Sequence, residues 1–423
     1  MTLKLPPLPT RKPSRPEATP ITAPEPLAES PPPVAVEAPA PPKNKPPGFG
    51  VRKPPTIIRY HEVPHPASTY LKLPVLQPAV RSTAVSTLAE CPRKYMFRYR
   101  FGLVSRGAYS KAMSRGTIYH VIMGARYQGC TRDRARELVG EHVSQTLAQL
   151  RKSLVKSTGL LPNGRDIATM ETELRRDEGV GSAMGLWAWD HDAFDLTQFV
   201  PFKVEELLVV SNPRLRHPIQ FKADLILANP GSDPLELWIV DHKTSSISPI
   251  ARMRSFAYSF QLKLYRMALA TWLKRNDDPT LRTARVVGAI HSVIQTPTIR
   301  QRTARQPETF EEYCARLHEW YDERAGEGSV DPPFVLGQTR FYEEPEDPEM
   351  LFQLRRAARH ARIEPTLTEF YRVDRACIMY NKPCEYLSLC EANPITWSSI
   401  VPLRYELDPS LAAPAVDNIP EEE

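Results

Sequence analysis

The chain has 423 residues, of which 41% are hydrophobic and 25% are charged, and its formal net charge is +6. This length provides for one large domain or two small ones with a buried core, and no apolar run is long enough to cross a bilayer. Because the N-terminus also lacks the charged-then-apolar pattern of a signal peptide, we predict a cytoplasmic protein that does not insert into a membrane.

Both ends of the chain have the composition of disordered tails. Residues 1–80 hold 22 of the 44 prolines, a density that favours polyproline II and leaves little apolar surface to bury. We predict a disordered tail there, with docking of its PxxP segments to a partner as the alternative. Residues 405–423 carry six acids and no base, which predicts an acidic tail. The remaining 81–404 hold 45 basic and 38 acidic residues, or +7, a balance that suits contact with phosphate.

The folded region is predicted to open with a helix capped by Ser82 or Thr83. From Cys91 to Arg115 the chain then has seven Lys/Arg, no acid and five aromatic residues: Tyr95, Phe97, Tyr99, Phe101 and Tyr109. Basic side chains with stacking aromatics suit single-stranded nucleic acid. Since burial is the commoner fate of aromatic side chains, we predict that these pack inward, and leave the role of the basic residues open.

The next segments are predicted to be mainly helical. The sequence GTIYH, ending at His120, precedes an apolar-periodic helix, and a lone histidine there is either structural or a ligand for a divalent metal. Residues 131–200 are expected to form a helical insertion. Residues 201–210 predict a strand, from which Glu205 or Glu206 could reach a metal, but alternation does not settle which one points inward.

A β-hairpin predicted over residues 221–246 concentrates charge at one end of a sheet. Its strands, FKADLILA and LELWIVDHKT, flank a run of Asn, Pro, Gly and Asp that breaks regular structure. Antiparallel pairing brings Asp224, Asp241 and Lys243 to the same end. Charged groups at the end of apolar strands raise the free energy of the fold unless they bind a partner. Two carboxylates with an ammonium suit a divalent cation. A salt-bridged turn is the alternative.

After Lys243 the pattern returns to helix. Gln261 and Tyr265 lie four apart on one helix face, either aimed at a ligand or hydrogen-bonded to each other in the core. Residues 284–294 predict a further strand. Two more helices follow, over residues 307–326 and 346–363, and each begins with acids and ends with bases, as the helix dipole favours.

Cysteines cluster near the C-terminus at Cys377, Cys384 and Cys390. A cytoplasmic chain argues against disulfides, so metal ligation is expected, with Cys91 in its CPRKY context as the fourth thiolate. Four thiolates can hold zinc or an iron–sulfur cluster. The spacing is unlike paired C-x-x-C knuckles, so we predict a 4Fe–4S cluster, with zinc as the alternative. Either metal would staple the two ends of the folded domain together.

These motifs, taken as an ordered set over residues 81–392, resemble the RecB-type branch of the PD-(D/E)XK nuclease superfamily. The closest similarity is to its iron–sulfur exonucleases related to the CRISPR adaptation nuclease and to phage recombination exonucleases. The residue before Asp224 and the wide cysteine spacing depart from the family pattern. The resemblance implies an α/β fold: a restriction-endonuclease-like mixed central sheet flanked by helices, with a helical insertion and a cysteine-stapled cluster region.

The resemblance also implies roles for individual residues. Asp224, Asp241 and the His242 backbone carbonyl would bind Mg²⁺ or Mn²⁺, and His120 would complete the ligand shell. Lys243 would orient or deprotonate the attacking water, and Gln261 with Tyr265 would position DNA.

The implied activity is that of a metal-dependent DNA exonuclease acting on a DNA end or single strand. Recombination, repair or phage DNA processing is the implied setting, with a recombinase, helicase or other replication protein as partner. The alternative is a DNA-binding or assembly subunit that keeps the fold and cluster but does not cut.

Overall fold

The computed structural model describes residues 66–411, apart from 108–109, 156–159, 162–163, 192–197, 213, 216, 255–258, 304–305, 327–328, 330, 342–346 and 380–381. The α-helices in this part of the chain are α1 Ala67–Leu71, α2 Ser82–Glu90, α3 Pro92–Tyr95, α4 Lys111–Tyr127, α5 Arg132–Lys152, α6 Ile167–His191, α7 Pro249–Met253, α8 Phe260–Lys274, α9 Pro279–Thr283, α10 Phe310–Arg324, α11 Pro348–Arg362, α12 Leu387–Glu391 and α13 Trp397–Arg404. The strands are β1 Leu103–Ser105, β2 Val200–Val204, β3 Leu207–Asn212, β4 His217–Lys222, β5 Leu225–Asn229, β6 Glu236–Ser245, β7 Arg285–Gln295, β8 Phe334–Arg340, β9 Ile378–Met379, β10 Lys382–Pro383 and β11 Tyr405–Leu407.

A five-stranded mixed sheet forms the centre of the fold, in the order β2-β5-β6-β7-β8. Strands β5 and β6 form the predicted antiparallel hairpin, and β6 pairs in parallel with β7, the strand predicted over 284–294. The outer pairs, β2 with β5 and β7 with β8, are antiparallel. This mixed sheet flanked by helices confirms the predicted α/β architecture.

Each face of the sheet is covered by helices, which explains why β5 and β6 are almost continuously apolar. Side chains on one face, such as Leu225 and Val240, pack with Tyr119 of α4 and with α6 and α10. On the other face, Ile226 and Ile239 pack with α8 and with the segment that contains α2. Helices α5 and α6 occupy the segment 131–200, predicted as a helical insertion, and pack with each other and with α4.

Two predicted strands are interrupted, and the prediction of continuous strands was wrong at both places. The segment 201–210 divides at Glu205, whose φ of 50° takes the chain out of the central sheet and into a separate pair, β3 with β4. Likewise, 221–228 divides between Lys222 and Leu225. The Glu205 N–H donates to the Asp224 carbonyl at 3.0 Å, so the two interruptions lie side by side. Alternating apolar residues do not reveal a left-handed residue.

The folded part extends beyond both predicted boundaries. Ala67 and Leu71 are buried, and the Ala67 N–H donates to the Pro365 carbonyl at 2.7 Å, so residues 66–80 belong to the fold. At the other end, β11 pairs with β1 through residues 405–407. Burial of a few apolar residues in these short segments outweighs their tail-like composition. Residues 1–65 and 412–423 of the predicted tails lie outside the described residues.

Two predicted helix starts were also wrong. Helix α2 begins at Ser82 with Arg81 as its N-cap residue, and no side chain accepts a capping hydrogen bond there. Helix α4 begins at Lys111, well before the GTIYH motif, and its first three residues are exposed, so apolar periodicity could not mark its start. In the described part of the chain, no helix is long and apolar enough to cross a membrane.

The central sheet is tightly packed at Gly288 of β7. A Cβ there would lie 2.2 Å from Cζ3 of Trp238 and 2.6 Å from the Thr339 carbonyl oxygen. We therefore expect Gly288→Ala to lower the free energy of unfolding by about 1–3 kcal/mol, measured by chemical denaturation. Gly231→Ala is the control, because its Cβ would come no closer than 3.5 Å to a neighbour. Equal unfolding midpoints for the two variants would contradict this packing argument.

Candidate active site

The β5–β6 register brings two aspartates to one end of the sheet. Leu225 pairs with Val240, so Asp224 lies across from Asp241 where β5 begins. The Asp224 carboxylate accepts a hydrogen bond of 2.7 Å from the backbone N–H of His242. The charge of Asp241 also disfavours the charged form of Asp224. Hairpin pairing therefore gathers charge that is distant in sequence.

A cluster of three possible metal ligands forms at this end. One ligand atom each from His120, Glu205 and Asp224 all lie within 4.8 Å of one another. The His120 Nδ1 is 3.4 Å from a Glu205 oxygen and 3.6 Å from an Asp224 oxygen. Glu206 is exposed and pairs with Lys203 at 2.6 Å, so the structure places Glu205, and not Glu206, at the cluster. No pattern in the sequence distinguished the two glutamates.

Helix α4 carries His120 into the cluster because its backbone comes close to β6. A Cβ at Gly116 would lie 3.3 Å from Oγ1 of Thr244, which is closer than most real Cβ contacts, so helix and strand approach each other tightly here. His120 follows one helical turn after Gly116 and shares its face. Glycine at this position therefore sets the distance between the histidine and the strand ends.

Burial and charge shift the pKa values of all three clustered groups. Burial raises the pKa of Asp224 to about 6, although the charges of His120 and Lys243 lower it. Burial alone would lower the pKa of His120, but a hydrogen bond to Glu205 and the charge of Asp224 raise it overall. The pKa of Glu205 is lowered despite its burial, because His120 and Lys222 both bind its carboxylate. Opposed shifts of this kind are typical of functional sites.

Lys243 and Gln261 both contact Asp241. The Lys243 ammonium donates to an Asp241 oxygen at 2.6 Å, and the Gln261 amide donates to the same oxygen at 3.2 Å. Gln261 also donates to the Tyr265 hydroxyl at 3.0 Å, and burial raises the pKa of that hydroxyl. The glutamine and tyrosine therefore satisfy each other and reach the carboxylate as well. His291, whose Nδ1 is 4.0 Å from the other Asp241 oxygen, was not singled out by the sequence.

The His242 side chain packs among aromatic rings and meets the ring of His120 edge-on at 6.2 Å. Its ring is buried and stacks on Tyr127 with centroids 5.6 Å apart, and it meets the ring of Tyr119 edge-on. Burial and the nearby His120 charge lower its pKa well below the usual value, so the ring is neutral. Its backbone, by contrast, faces Asp224 through the N–H described above.

Four cysteine thiols lie near one another in a second group of possible metal ligands. The Cys390 thiol interacts electrostatically with those of Cys91, Cys377 and Cys384, and burial raises its pKa to about 12. Cys91 is buried at the junction of α2 and α3. The other three are half-buried: Cys377 and Cys384 flank the β9–β10 hairpin, and Cys390 lies in α12. The Cys384 N–H donates to the Cys377 carbonyl at 2.7 Å, which closes this loop.

The basic and aromatic segment 91–115 is mostly structural. Tyr95, Phe97, Tyr99 and Phe101 are buried, as predicted, and Tyr109 lies outside the described residues. Several of its cations have partners within the fold. Arg93, Arg100 and Arg106 donate to backbone carbonyls, and Lys94 pairs with Glu90. Lys111 and Arg115 are different, because they line a cavity.

Comparison with known families agrees with this geometry. The model of the PD-(D/E)XK nuclease superfamily matches residues 82–391, which is more than half of the chain. The chain belongs to the PD-(D/E)XK nuclease superfamily. Within the matched region lie Asp224 and the Asp241-His242-Lys243 triplet, the residues whose spacing corresponds to the superfamily's name. No curated protein matches the chain. Superfamily membership supports a nuclease, which acts on nucleic acid with the help of divalent metal ions.

Proposed function

We propose that this PD-(D/E)XK protein is a cytoplasmic, metal-dependent DNA exonuclease of the RecB-type branch that acts on a DNA end or on single-stranded DNA. The convergence of His120, Glu205, Asp224, Asp241 and Lys243 at one sheet edge carries the proposal. Carboxylates, an imidazole and an ammonium in one half-buried cluster are the groups that metal-assisted phosphodiester hydrolysis requires. The setting we propose is recombination, repair or phage DNA processing with a recombinase, helicase or other replication protein.

The clustered groups fit a divalent cation. Glu205 and Asp224 supply the oxygen ligands that Mg²⁺ and Mn²⁺ prefer, and His120 supplies a nitrogen. The backbone N–H of His242 points toward Asp224, and in a strand the carbonyl of the same residue points to the same side. That carbonyl and Asp241 are our further candidates for ligands. Because imidazole suits a transition metal better than Mg²⁺, we expect Mn²⁺ to bind more tightly.

A bound cation would make a water nucleophilic near neutral pH and neutralise charge on the scissile phosphate. Asp224 and Glu205 would hold the cation, whose charge would offset the repulsion between the two carboxylates. Lys243, oriented by Asp241, would orient the attacking water and offset negative charge that develops in the transition state. Gln261, hydrogen-bonded to both Asp241 and Tyr265, would hold the carboxylate in place and contact the DNA strand.

The four thiols support a 4Fe–4S cluster better than zinc. A tetrahedral zinc site with Zn–S bonds of 2.3 Å places its sulfur atoms about 3.8 Å apart. Among the described residues, only His120, Glu205 and Asp224 bring three possible ligand atoms within 4.8 Å of one another. The thiol sulfur atoms are therefore more widely spaced than a zinc site requires. In a cubane cluster each cysteine binds a different iron, which suits a wider spacing. The cluster would tie residue 91 to residues 377–390.

We expect Cys384→Ser to remove the cluster and lower the thermal stability of the domain, because one thiolate of four is lost. The measurements are iron and sulfide content, visible absorption of an anaerobic preparation, and the melting temperature. Cys130→Ser is the control, since Cys130 does not belong to the thiol group and is only half-buried. A colourless wild-type protein with stoichiometric zinc would contradict the cluster assignment.

Nuclease activity is tested with DNA labelled at either end, incubated with the protein and Mn²⁺. Stepwise shortening from one end is the expected result and gives the direction of digestion. Internal cuts alone would overturn the exonuclease proposal. Binding without cleavage under any divalent metal would instead favour a non-cutting DNA-binding subunit.

A further inference from the structure

A basic cavity of about 550 Å³ lies between α4, α6, α10 and the segment that follows β7. Its lining includes Lys111 and Arg115 of α4, Arg176 of α6, and Arg300 in the segment that follows β7. Pro297, Thr298, Ile299 and Tyr313 complete the described lining, which contains no acidic residue. Four cations around one concave surface favour an anionic ligand.

The cavity borders the same strand ends as the proposed metal site. Its wall at residues 297–300 follows directly from β7, and the Thr296 N–H donates to the carbonyl of Ser245 at 2.7 Å. Ser245 is two residues beyond Lys243. On the helical side, Arg115 precedes Gly116, which approaches Thr244, and it lies about 7.5 Å along α4 from His120.

Two of the four basic side chains, and the loop that carries a third, are held in place before any ligand binds. Arg115 pairs at 2.6 Å with Asp177, which is buried, and Arg176 lies over the ring of Tyr313 at 5.8 Å. The Tyr313 hydroxyl donates at 3.0 Å to the Ile299 carbonyl, which fixes the loop wall. The carbonyl of Arg300 is held likewise, by a hydrogen bond from Arg316.

The nearby acids do not cancel this charge. Asp177 engages Arg115, and Glu173, which lies 3.7 Å from Lys111, is bound more closely by Arg165 at 2.7 Å. Arg176 and Arg300 add two further positive charges to the wall. The cavity therefore keeps a net positive charge, built from helices and a braced loop, as suits a phosphate group.

We propose that this cavity binds a phosphate group of the DNA strand close to the bond that is cut. The proposal rests on the proposed function for the identity of the strand. The phosphate is either a terminal monoester or an internal diester next to the scissile one. Guanidinium groups bind both, and either ligand would fix the strand relative to Lys243.

The test is DNA binding by the double variant Arg176→Gln/Arg300→Gln with the metal removed by chelation, so that no cleavage occurs. We expect affinity for a single-stranded oligonucleotide to fall about 10- to 100-fold, as for lost charge-assisted hydrogen bonds. The slope of log K against log salt should become shallower by about 0.7, the value for one phosphate contact. Arg175→Gln, an exposed neighbour outside the cavity lining, is the control and should match the wild type.

Oligonucleotides with and without a terminal phosphate separate the two sources. If the variant loses affinity only for oligonucleotides with a terminal phosphate, the cavity binds a terminal monoester. If it loses affinity equally for oligonucleotides with and without that phosphate, the cavity binds an internal diester. The single variant Arg300→Gln changes an exposed side chain, so it should fold even if the double variant is unstable. It should show part of the loss of DNA affinity.

Affinity and salt slope equal to those of the Arg175→Gln control would overturn the cavity assignment. Cleavage by the wild type with Mn²⁺ is measured in parallel. If the wild type cuts DNA while the variants bind normally, only the phosphate site is refuted. If the wild type binds DNA through the cavity but does not cut, only the nuclease proposal fails.

Discussion

Lys243→Ala is expected to lower the rate of DNA cleavage about 10³-fold, the size of effect typical for a group that orients water and offsets transition-state charge. The Lys243 ammonium lies 2.6 Å from Asp241 at the strand end, within the charged cluster, and is partly open to solvent. Removal of the ammonium leaves the ligands of the cation intact. The measurement is single-turnover cleavage of end-labelled single-stranded DNA with saturating Mn²⁺.

The control for this variant is Lys274→Ala, at an exposed position near the end of α8. It should cut at the wild-type rate. Both variants should also retain the melting temperature of the wild type within a few degrees, since a partly exposed lysine adds little to stability. A Lys243→Ala protein that remains folded and cuts as fast as the control would refute the role proposed for Lys243.

Asp224→Asn is expected to weaken Mn²⁺ binding more than about 100-fold and to lower the cleavage rate about 10³-fold, because a neutral amide replaces a ligand carboxylate. The amide oxygen can still accept the hydrogen bond from the His242 N–H, so the local backbone should be preserved. Electron paramagnetic resonance of free Mn²⁺ measures the affinity without reference to activity.

The matched control is Asp277→Asn, in the exposed connection between α8 and α9. This variant should bind Mn²⁺ as the wild type does. Undiminished Mn²⁺ affinity in Asp224→Asn would contradict the assignment of this carboxylate to the cation, whatever the cleavage rate.

The central hairpin could be predicted from sequence because its determinants are local. Two apolar runs and a turn of Asn, Pro and Gly fix the register, and the register alone places Asp224 across from Asp241. In the same way, a spacing of four residues placed Gln261 against Tyr265 within one helix. Each of these predictions needed only the periodicity of a single element or hairpin.

Other features depend on contacts between distant segments and gave no local signal. Glu205 itself adopts the left-handed conformation directly after β2. Its backbone N–H then contacts the Asp224 carbonyl, and its side chain reaches the cluster. The composition of residues 66–80 predicted a disordered tail. Their burial depends on partners near residues 219 and 365, which are distant in sequence, so no local pattern indicated it. The basic cavity combines α4, α6 and a loop after β7, so no single stretch of sequence revealed it.

The sheet edge at Asp224 is expected to hold a divalent cation. Anomalous diffraction from crystals grown with Mn²⁺ tests this most directly, because it locates the ion without reliance on activity. We expect a peak in contact with His120, Glu205 and Asp224 and on the same side of the sheet as Lys243. Ordered manganese elsewhere in the protein, with none at these three side chains, would contradict it.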